Sequence, residues 1–207
     1  MKATSADRDR ERTLRFYERA ARDYDSWMDR FDPLLLGDGR ATLCARARGR
    51  TLEVAIGTGR NIALYPPDVQ LTGIDLSPAM LEVAREATAG RSVDLRVGNA
   101  EVLEFADEAF DTVVFTLCLC TIPDPRKALA EAHRVVRHGG QLLLLEHVRS
   151  PIRGVRWAQR IVEPLFRLAS DHLLRDPLDH LASLGFEIEE SRRYRAGIME
   201  WVVARRP

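Results

Sequence analysis

Several short apolar runs end in residues that could hold a charged, nucleotide-like ligand. Thr51–Ile56 ends in Gly57-Thr58-Gly59 and continues into Arg60-Asn61. Glycines at a sharp turn let a ligand approach the backbone, and a helix starting beyond them offers free N–H groups. Val69–Ile74 ends in Asp75, a carboxylate placed to accept hydrogen bonds from both hydroxyls of a ribose. Each feature also has a plainer reading. A G-x-G turn occurs as a simple tight connection, and Asp75 with Ser77-Pro78 reads as the start of a helix. Two imidazoles could move a proton or orient an acceptor: His147, directly after the run Gln141–Glu146, and His172 in Ser170-Asp-His-Leu-Leu-Arg175. The alternative for both is a structural histidine bonded to backbone. His133 and His138 flank the turn at Gly139-Gly140 and read as surface residues. Cys118 and Cys120 read as small apolar wall residues rather than nucleophiles. Their spacing is not that of a zinc site, no second Cys/His cluster completes one, and no metal is expected.

The elements that must position these groups follow from periodicity. Leu14, Tyr17, Ala21, Tyr24, Met28 and Phe31 fall at helical spacing, so the N-terminal segment is an amphipathic helix or helix pair. Asp32-Pro33 and Gly37-Asp38-Gly39 punctuate it, and a short helix over Arg40–Ala47 follows. Five apolar runs then alternate with helical stretches: Thr51–Ile56, Val69–Ile74, Val93–Val97, Thr112–Phe115 and Gln141–Glu146, with helices over Ser77–Ala87 and Pro125–Val136. That alternation predicts an α/β fold, a parallel sheet covered on both faces. Phe186–Arg195 and Ile198–Ala204, joined at Ala196-Gly197, predict an antiparallel edge pair. The chain of 207 residues suits one domain: a helical lid over 1–48, a ligand-binding core over 49–148, a variable acceptor-side helix over 149–175, and a helix and strand pair over 176–207.

Lys+Arg and Asp+Glu both total 31. A net charge of zero gives no global basic field, which argues against nucleic acid as partner. No apolar stretch follows the N-terminal Met-Lys, so no signal peptide is expected. Three cysteines do not form a secreted disulfide framework, and a cytoplasmic location is expected.

In combination these segments resemble a known family. Leu52-Glu-Val-Ala-Ile-Gly-Thr-Gly-Arg-Asn61 and Gly73-Ile-Asp-Leu-Ser-Pro-Ala-Met-Leu81 are similar to the first two motifs of class I S-adenosylmethionine-dependent methyltransferases. Val97-Gly-Asn-Ala-Glu101, Phe110-Asp-Thr-Val-Val114 and Glu131-Ala-His-Arg-Val-Val-Arg-His-Gly-Gly140 continue the match, which runs from about Tyr17 to Val148. The resemblance implies a Rossmann-like, mostly parallel seven-stranded sheet with an antiparallel C-terminal edge hairpin and an N-terminal helical lid. It implies S-adenosyl-L-methionine as cofactor, with S-adenosyl-L-homocysteine as product. Glu53 would lie beneath the methionine portion, and Ala55, Gly57, Thr58, Gly59 and Asn61 would wrap it. Asp75 would take the ribose, with Leu76 beside the adenine, and Met80 would also contact the cofactor. Asn99, Ala100 and Glu101 would meet the adenine side, Thr116 would face the amino-acid end, and Tyr17 and Tyr24 would close over the cofactor. The plainer reading of the tyrosines is core packing. Ala55 and Asn61 replace the first and last glycines of the family's signature, and Asn99 replaces its usual aspartate.

Methyl transfer from a sulfonium is a direct displacement, so the protein's task is to align the reactants, and a base is needed only when the acceptor must lose a proton. Gly57-Thr-Gly-Arg-Asn-Ile-Ala-Leu-Tyr-Pro66, Leu143-Leu-Leu-Glu-His-Val148, Trp157-Ala-Gln159 and Glu163-Pro164 resemble a branch holding bacterial phosphatidylethanolamine N-methyltransferases and animal thiol S-methyltransferases. Ubiquinone/menaquinone C-methyltransferases are a more distant match. The resemblance implies a small apolar or amphiphilic acceptor. Competing readings are a nucleic-acid or protein methyltransferase, disfavoured by the zero net charge, and a non-catalytic S-adenosylmethionine-binding module. Pro151–Leu174 carries Val155, Ala158, Ile161, Val162, Leu165 and Phe166 at helical spacing, with Arg153, Arg156, Arg160 and Arg167 off that stripe. It reads either as a helix packed on the sheet with its arginines in water, the favoured reading, or as a lid or membrane-surface element in transient peripheral contact with a bilayer.

Overall fold

The computed structural model describes residues 4–88, 90–176 and 178–207. The N-terminal segment is one helix, α1 (Ser5–Leu35). It begins in a capping box: the Thr4 hydroxyl accepts the Asp7 N–H, and the Asp7 carboxylate accepts the Thr4 N–H. The break expected at Asp32-Pro33 is absent, and the helix runs through Pro33. Proline falls here in the final turn, where only one ladder bond is forfeited. The N–H groups of Leu36 and Gly37 both return to the Asp32 carbonyl, and Gly37 ends the segment at φ +57°. Helix α2 (Gly39–Cys44) follows, shorter than expected.

The strands are β1 (Arg50–Val54), β2 (Gln70–Asp75), β3 (Val93–Val97), β4 (Phe110–Thr116), β5 (Val136–His147), β6 (Glu187–Tyr194) and β7 (Met199–Arg205). They form one seven-stranded sheet in the order β3-β2-β1-β4-β5-β7-β6. The pairs among β1 to β5 are parallel, and β7 runs antiparallel to both β5 and β6. The helices between them are α3 (Pro78–Glu86), α4 (Pro125–Val135), α5 (Arg153–Phe166) and α6 (Leu178–Leu181). Leu52, Phe115, Leu144 and Val202 pack under α4, while Leu71, Val114, Leu143 and Leu145 pack with Leu43 and Leu81 on the other face.

Three local expectations are corrected. No α-helix follows the glycine turn; the chain makes only a 3-10 turn over Ile62–Leu64. Tyr65 precedes Pro66 and is extended at φ −73°, ψ 144°, as a residue before proline must be. Strand β5 begins at Val136, directly out of α4, and not after Gly139-Gly140. The glycines form a bulge: Phe110 pairs with Val136 and Thr112 with Gln141, with Gly139 at φ +71°. Finally, α5 does not pack its apolar stripe on the sheet. Trp157, Ile161 and Leu165 are 65%, 57% and 66% exposed, and the one buried side chain on the helix is Gln159. No helix among the described residues is long and apolar enough to cross a membrane.

Candidate active site

The sheet order reverses between β1 and β4, and in open α/β sheets that switch point leaves a crevice beyond the strand ends. A pocket lies there, with about 980 Å³ free of protein atoms counting its opening to solvent. Its floor is the loop leaving β1. Ala55 turns the chain at φ +56°, a left-handed conformation that costs a non-glycine residue about 1–2 kcal/mol. Gly57 follows at φ +58°, with no heavy atom within 4 Å of the place a Cβ would take, so its backbone is open to a ligand. Gly59, at φ +83°, serves packing instead: a Cβ there would meet Ile62 Cδ1 at 2.7 Å.

Most of the residues singled out in the sequence converge on this pocket. Tyr17, Tyr24, Glu53, Ala55, Gly57, Thr58, Asn61, Asp75, Leu76, Met80, Asn99, Ala100 and Thr116 line it. Gly59 and Glu101 do not. Glu101 is buried, and both its oxygens are used: Oε1 accepts the Asp124 N–H and Oε2 accepts Arg10 of α1. It is a strut between the lid and the loop before α4. The Asn99 side-chain oxygen accepts the Glu101 N–H at 3.0 Å, so any further acceptance uses its second lone pair.

The polar half of the pocket is pre-organised. Asp75 accepts the N–H groups of Gly57 and Ser77, each at 2.9 Å, while burial raises its pKa. Glu53 lies below, accepting from Asn61 Nδ2 at 2.7 Å and the Tyr65 hydroxyl at 3.0 Å. Burial pushes its carboxyl up to about 7. Asn61 also donates to Thr116 and accepts from Arg40. Its amide thus joins β1, β4 and α2, a role that the family's glycine at this position could not fill.

Helix α1 closes the pocket from above. Tyr17 and Tyr24 meet edge to face, with centroids 6.1 Å apart. Burial raises both phenols, Tyr24 to about 12. The helix is bonded down along its length. Glu18 accepts Ser77 Oγ at 2.6 Å and the Ala79 N–H at 3.1 Å, which anchors it at the start of α3. Asp25 accepts the Thr58 hydroxyl at 2.6 Å. Arg60 spans Asp25, Asp29 and Asp32 at 3.2, 2.8 and 3.2 Å. Sequence reasoning missed these contacts, although the aspartates stand at i, i+4 and i+7, one helical face.

The proton-transfer candidates sit behind the pocket rather than in its lining. His147 Nε2 pairs with Asp171 Oδ1 at 2.8 Å, and His147 Nδ1 is buried without a hydrogen-bond partner. Burial pulls the imidazole pKa down, but the Asp171 contact outweighs it and holds the value above the ordinary 6.5. The Cys120, His147 and Asp171 donor atoms all lie within 4.8 Å of one another, a grouping that the distant positions of these residues in the chain conceal. Burial and the neighbouring Asp171 keep the Cys120 thiol far above its ordinary value, and burial does the same to Cys118. Both are therefore protonated; Cys118 lines the pocket and Cys120 does not. Tyr17 connects this group to the pocket: the charges of Asp171 and Asp75 both disfavour its phenolate. His172 is elsewhere, its ring facing Arg167 and Glu163. Burial, Arg175 and Arg167 lower it to about 4.

A methyltransferase-domain family model matches residues 52–144. A phosphatidylethanolamine N-methyltransferase of Cereibacter sphaeroides is 41% identical over 103 residues, 48% of this chain and 51% of that protein. A thiol S-methyltransferase of Rattus norvegicus is 36% identical over 134 residues, 60% of this chain and 54% of that protein. A ubiquinone/menaquinone biosynthesis C-methyltransferase of Desulfotalea psychrophila is 40% identical over 101 residues, 47% of this chain and 41% of that protein. The chain spans about half the length of these relatives. Among solved structures, a SAM-dependent methyltransferase of Thermotoga maritima, described as a possible histamine N-methyltransferase, superimposes with a TM-score of 0.75. It is 23% identical and covers 94% of this chain and 100% of its own. Residues 52–144 thus match a methyltransferase domain, the chain is similar to proteins named as methyltransferases, and S-adenosylmethionine is the cofactor of the class it resembles. The open backbone at Gly57 and the half-free Asp75 carboxylate fit it.

Proposed function

We propose that this chain methylates a small apolar or amphiphilic acceptor, such as a phospholipid amine, a thiol or a quinone-like ring. The observation that carries this reading is the mixed lining of the pocket. Glu53, Gly57, Asp75 and Asn99 contribute polar groups, and Leu14, Tyr17, Leu117, Cys118, Ile122 and Pro123 contribute apolar or amphipathic ones. The polar groups suit the amino-acid, ribose and adenine parts of the cofactor, which supplies an electrophilic methyl on a sulfonium when bound. The apolar groups would desolvate and orient an acceptor, and α1 excludes water from above. The printed names of the relatives, lipid amine, thiol and quinone, agree with an acceptor of this kind.

Asp171 and His147 would manage the proton of an acceptor that must lose one. Asp171 holds the proton on Nε2, which leaves the Nδ1 lone pair as the acceptor atom. A labelled-methyl assay against phosphatidylethanolamine vesicles, an alkyl thiol and a demethylquinone tests the acceptor class. Labelling of at least one is expected; labelling of RNA or protein alone overturns it. A pH profile tests the pair. Because the His147 pKa is raised, the rate should climb with pH through a limb above about 6.5. Asp171→Asn removes the raising contact, so the limb should move to lower pH as the plateau falls about tenfold. An unmoved limb would remove His147 from the chemistry.

A further inference from the structure

We propose that α5 and the turn after it form a docking face for an anionic phospholipid bilayer. Trp157, Ile161, Leu165 and Leu168 recur at spacings of four, four and three, which is one stripe of the helix. All four are more than half exposed, Leu168 at 73%. The opposite side holds the helix to the body through polar contacts. The Gln159 amide accepts the Ser150 N–H at 2.9 Å and donates to the carbonyls of Val148 and Leu173 at 2.9 and 3.3 Å. A helix of a water-exposed protein does the reverse, with apolar residues inward and polar ones outward. An apolar stripe of this kind ordinarily meets a partner or a membrane.

Charge selects the occupant. Arg153 and Arg160 stand one heptad apart beside the stripe, both exposed and without an ion pair among the described residues. The helix has a single acidic residue, Glu163, which is partly buried beside His172 and Arg167. A second copy seated on this face by two-fold symmetry would bring like-charged arginines together. An anionic lipid surface offers what both halves need: phosphates for the guanidinium groups and an acyl boundary for the tryptophan and leucines. The face also leads into the site. After α5, the Asp171 N–H donates to the Phe166 carbonyl at 3.1 Å, the Asp171 carboxylate holds His147, and the His172 N–H donates to Cys120. A membrane-dissolved acceptor would therefore enter on the side of the pocket that the Asp171–His147 pair backs. The proposal concerns where the chain sits, and stands whichever acceptor is methylated.

The test is co-sedimentation of the full chain with vesicles of phosphatidylcholine alone, or containing about a third phosphatidylglycerol. Binding to the anionic vesicles is expected, at least about tenfold weaker on neutral ones and weakened by high salt. Trp157→Ser with Ile161→Ser and Leu165→Ser should reduce it at least about tenfold, as should Arg153→Glu with Arg160→Glu. Calorimetric titration with S-adenosylmethionine checks that each variant still folds. No binding by the wild type, or equal binding by a folded triple-serine variant, overturns the proposal. So does a wild-type dimer that the triple variant converts to monomer, because the face would then be a subunit interface. None of these readouts uses methyl transfer, so failure of the acceptor assignment is seen separately.

Discussion

Helix α1 turns its tyrosines over the pocket and its aspartates toward Thr58 and Arg60, whereas α5 turns one glutamine inward and leaves Trp157, Ile161 and Leu165 in water. Both carry an amphipathic pattern, yet one is bonded at intervals from Arg10 to Asp32 and the other is tied to the end of β5 through the Gln159 amide. The difference teaches that an amphipathic pattern defines a stripe and not its direction. On α1 the direction is set by charged and hydroxyl partners on the strand-end loops. On α5 no such partners meet the stripe among the described residues.

The sharpest way to break the comparison is to remove the ring pair of α1. Tyr17→Ala with Tyr24→Ala should weaken S-adenosylmethionine binding about a hundredfold by calorimetry, roughly the loss of two aromatic contacts. Unchanged affinity would return the tyrosines to packing alone. A smaller effect, about tenfold, is expected of Arg60→Gln, which frees Asp25, Asp29 and Asp32. Wild-type affinity should also fall with added salt, and that sensitivity should shrink in the variant. The least effect belongs to α5. Trp157→Ser with Leu165→Ser should change unfolding free energy by no more than about 0.5 kcal/mol and leave cofactor affinity intact. A large loss of stability would mean that the stripe has a partner within the chain.

Much of the pocket's floor was legible because its signals are local. Gly57, Gly59 and Asp75 each follow an apolar run at the point where the chain must turn, and Ser77-Pro78 announces the next helix. Of two substitutions that looked like losses, Asn61 has a physical role, since it ties Glu53 to Thr116, whereas Ala55 holds a left-handed turn that a glycine would hold with less strain. What stayed hidden is long-range. Nothing near Asp171 indicates that it meets His147, and nothing near Glu101 indicates that it meets Arg10. The outward turn of α5 was hidden for a related reason: Gln159 looks like one more polar residue until its three backbone partners are known.

The anchors of α1 have a consequence for how the chain comes together. Arg10 bonds a residue 91 positions away, Glu18 one 59 away and Asp25 one 33 away. The helix therefore has nothing to close upon until the strand-end loops that follow it have formed. Loop closure over such separations is slow to nucleate, so α1 should be the last element to seat and the first to open. Its amide protons should exchange ahead of those of β1 and β4, and the rate at which it lifts would then limit how fast spent cofactor leaves.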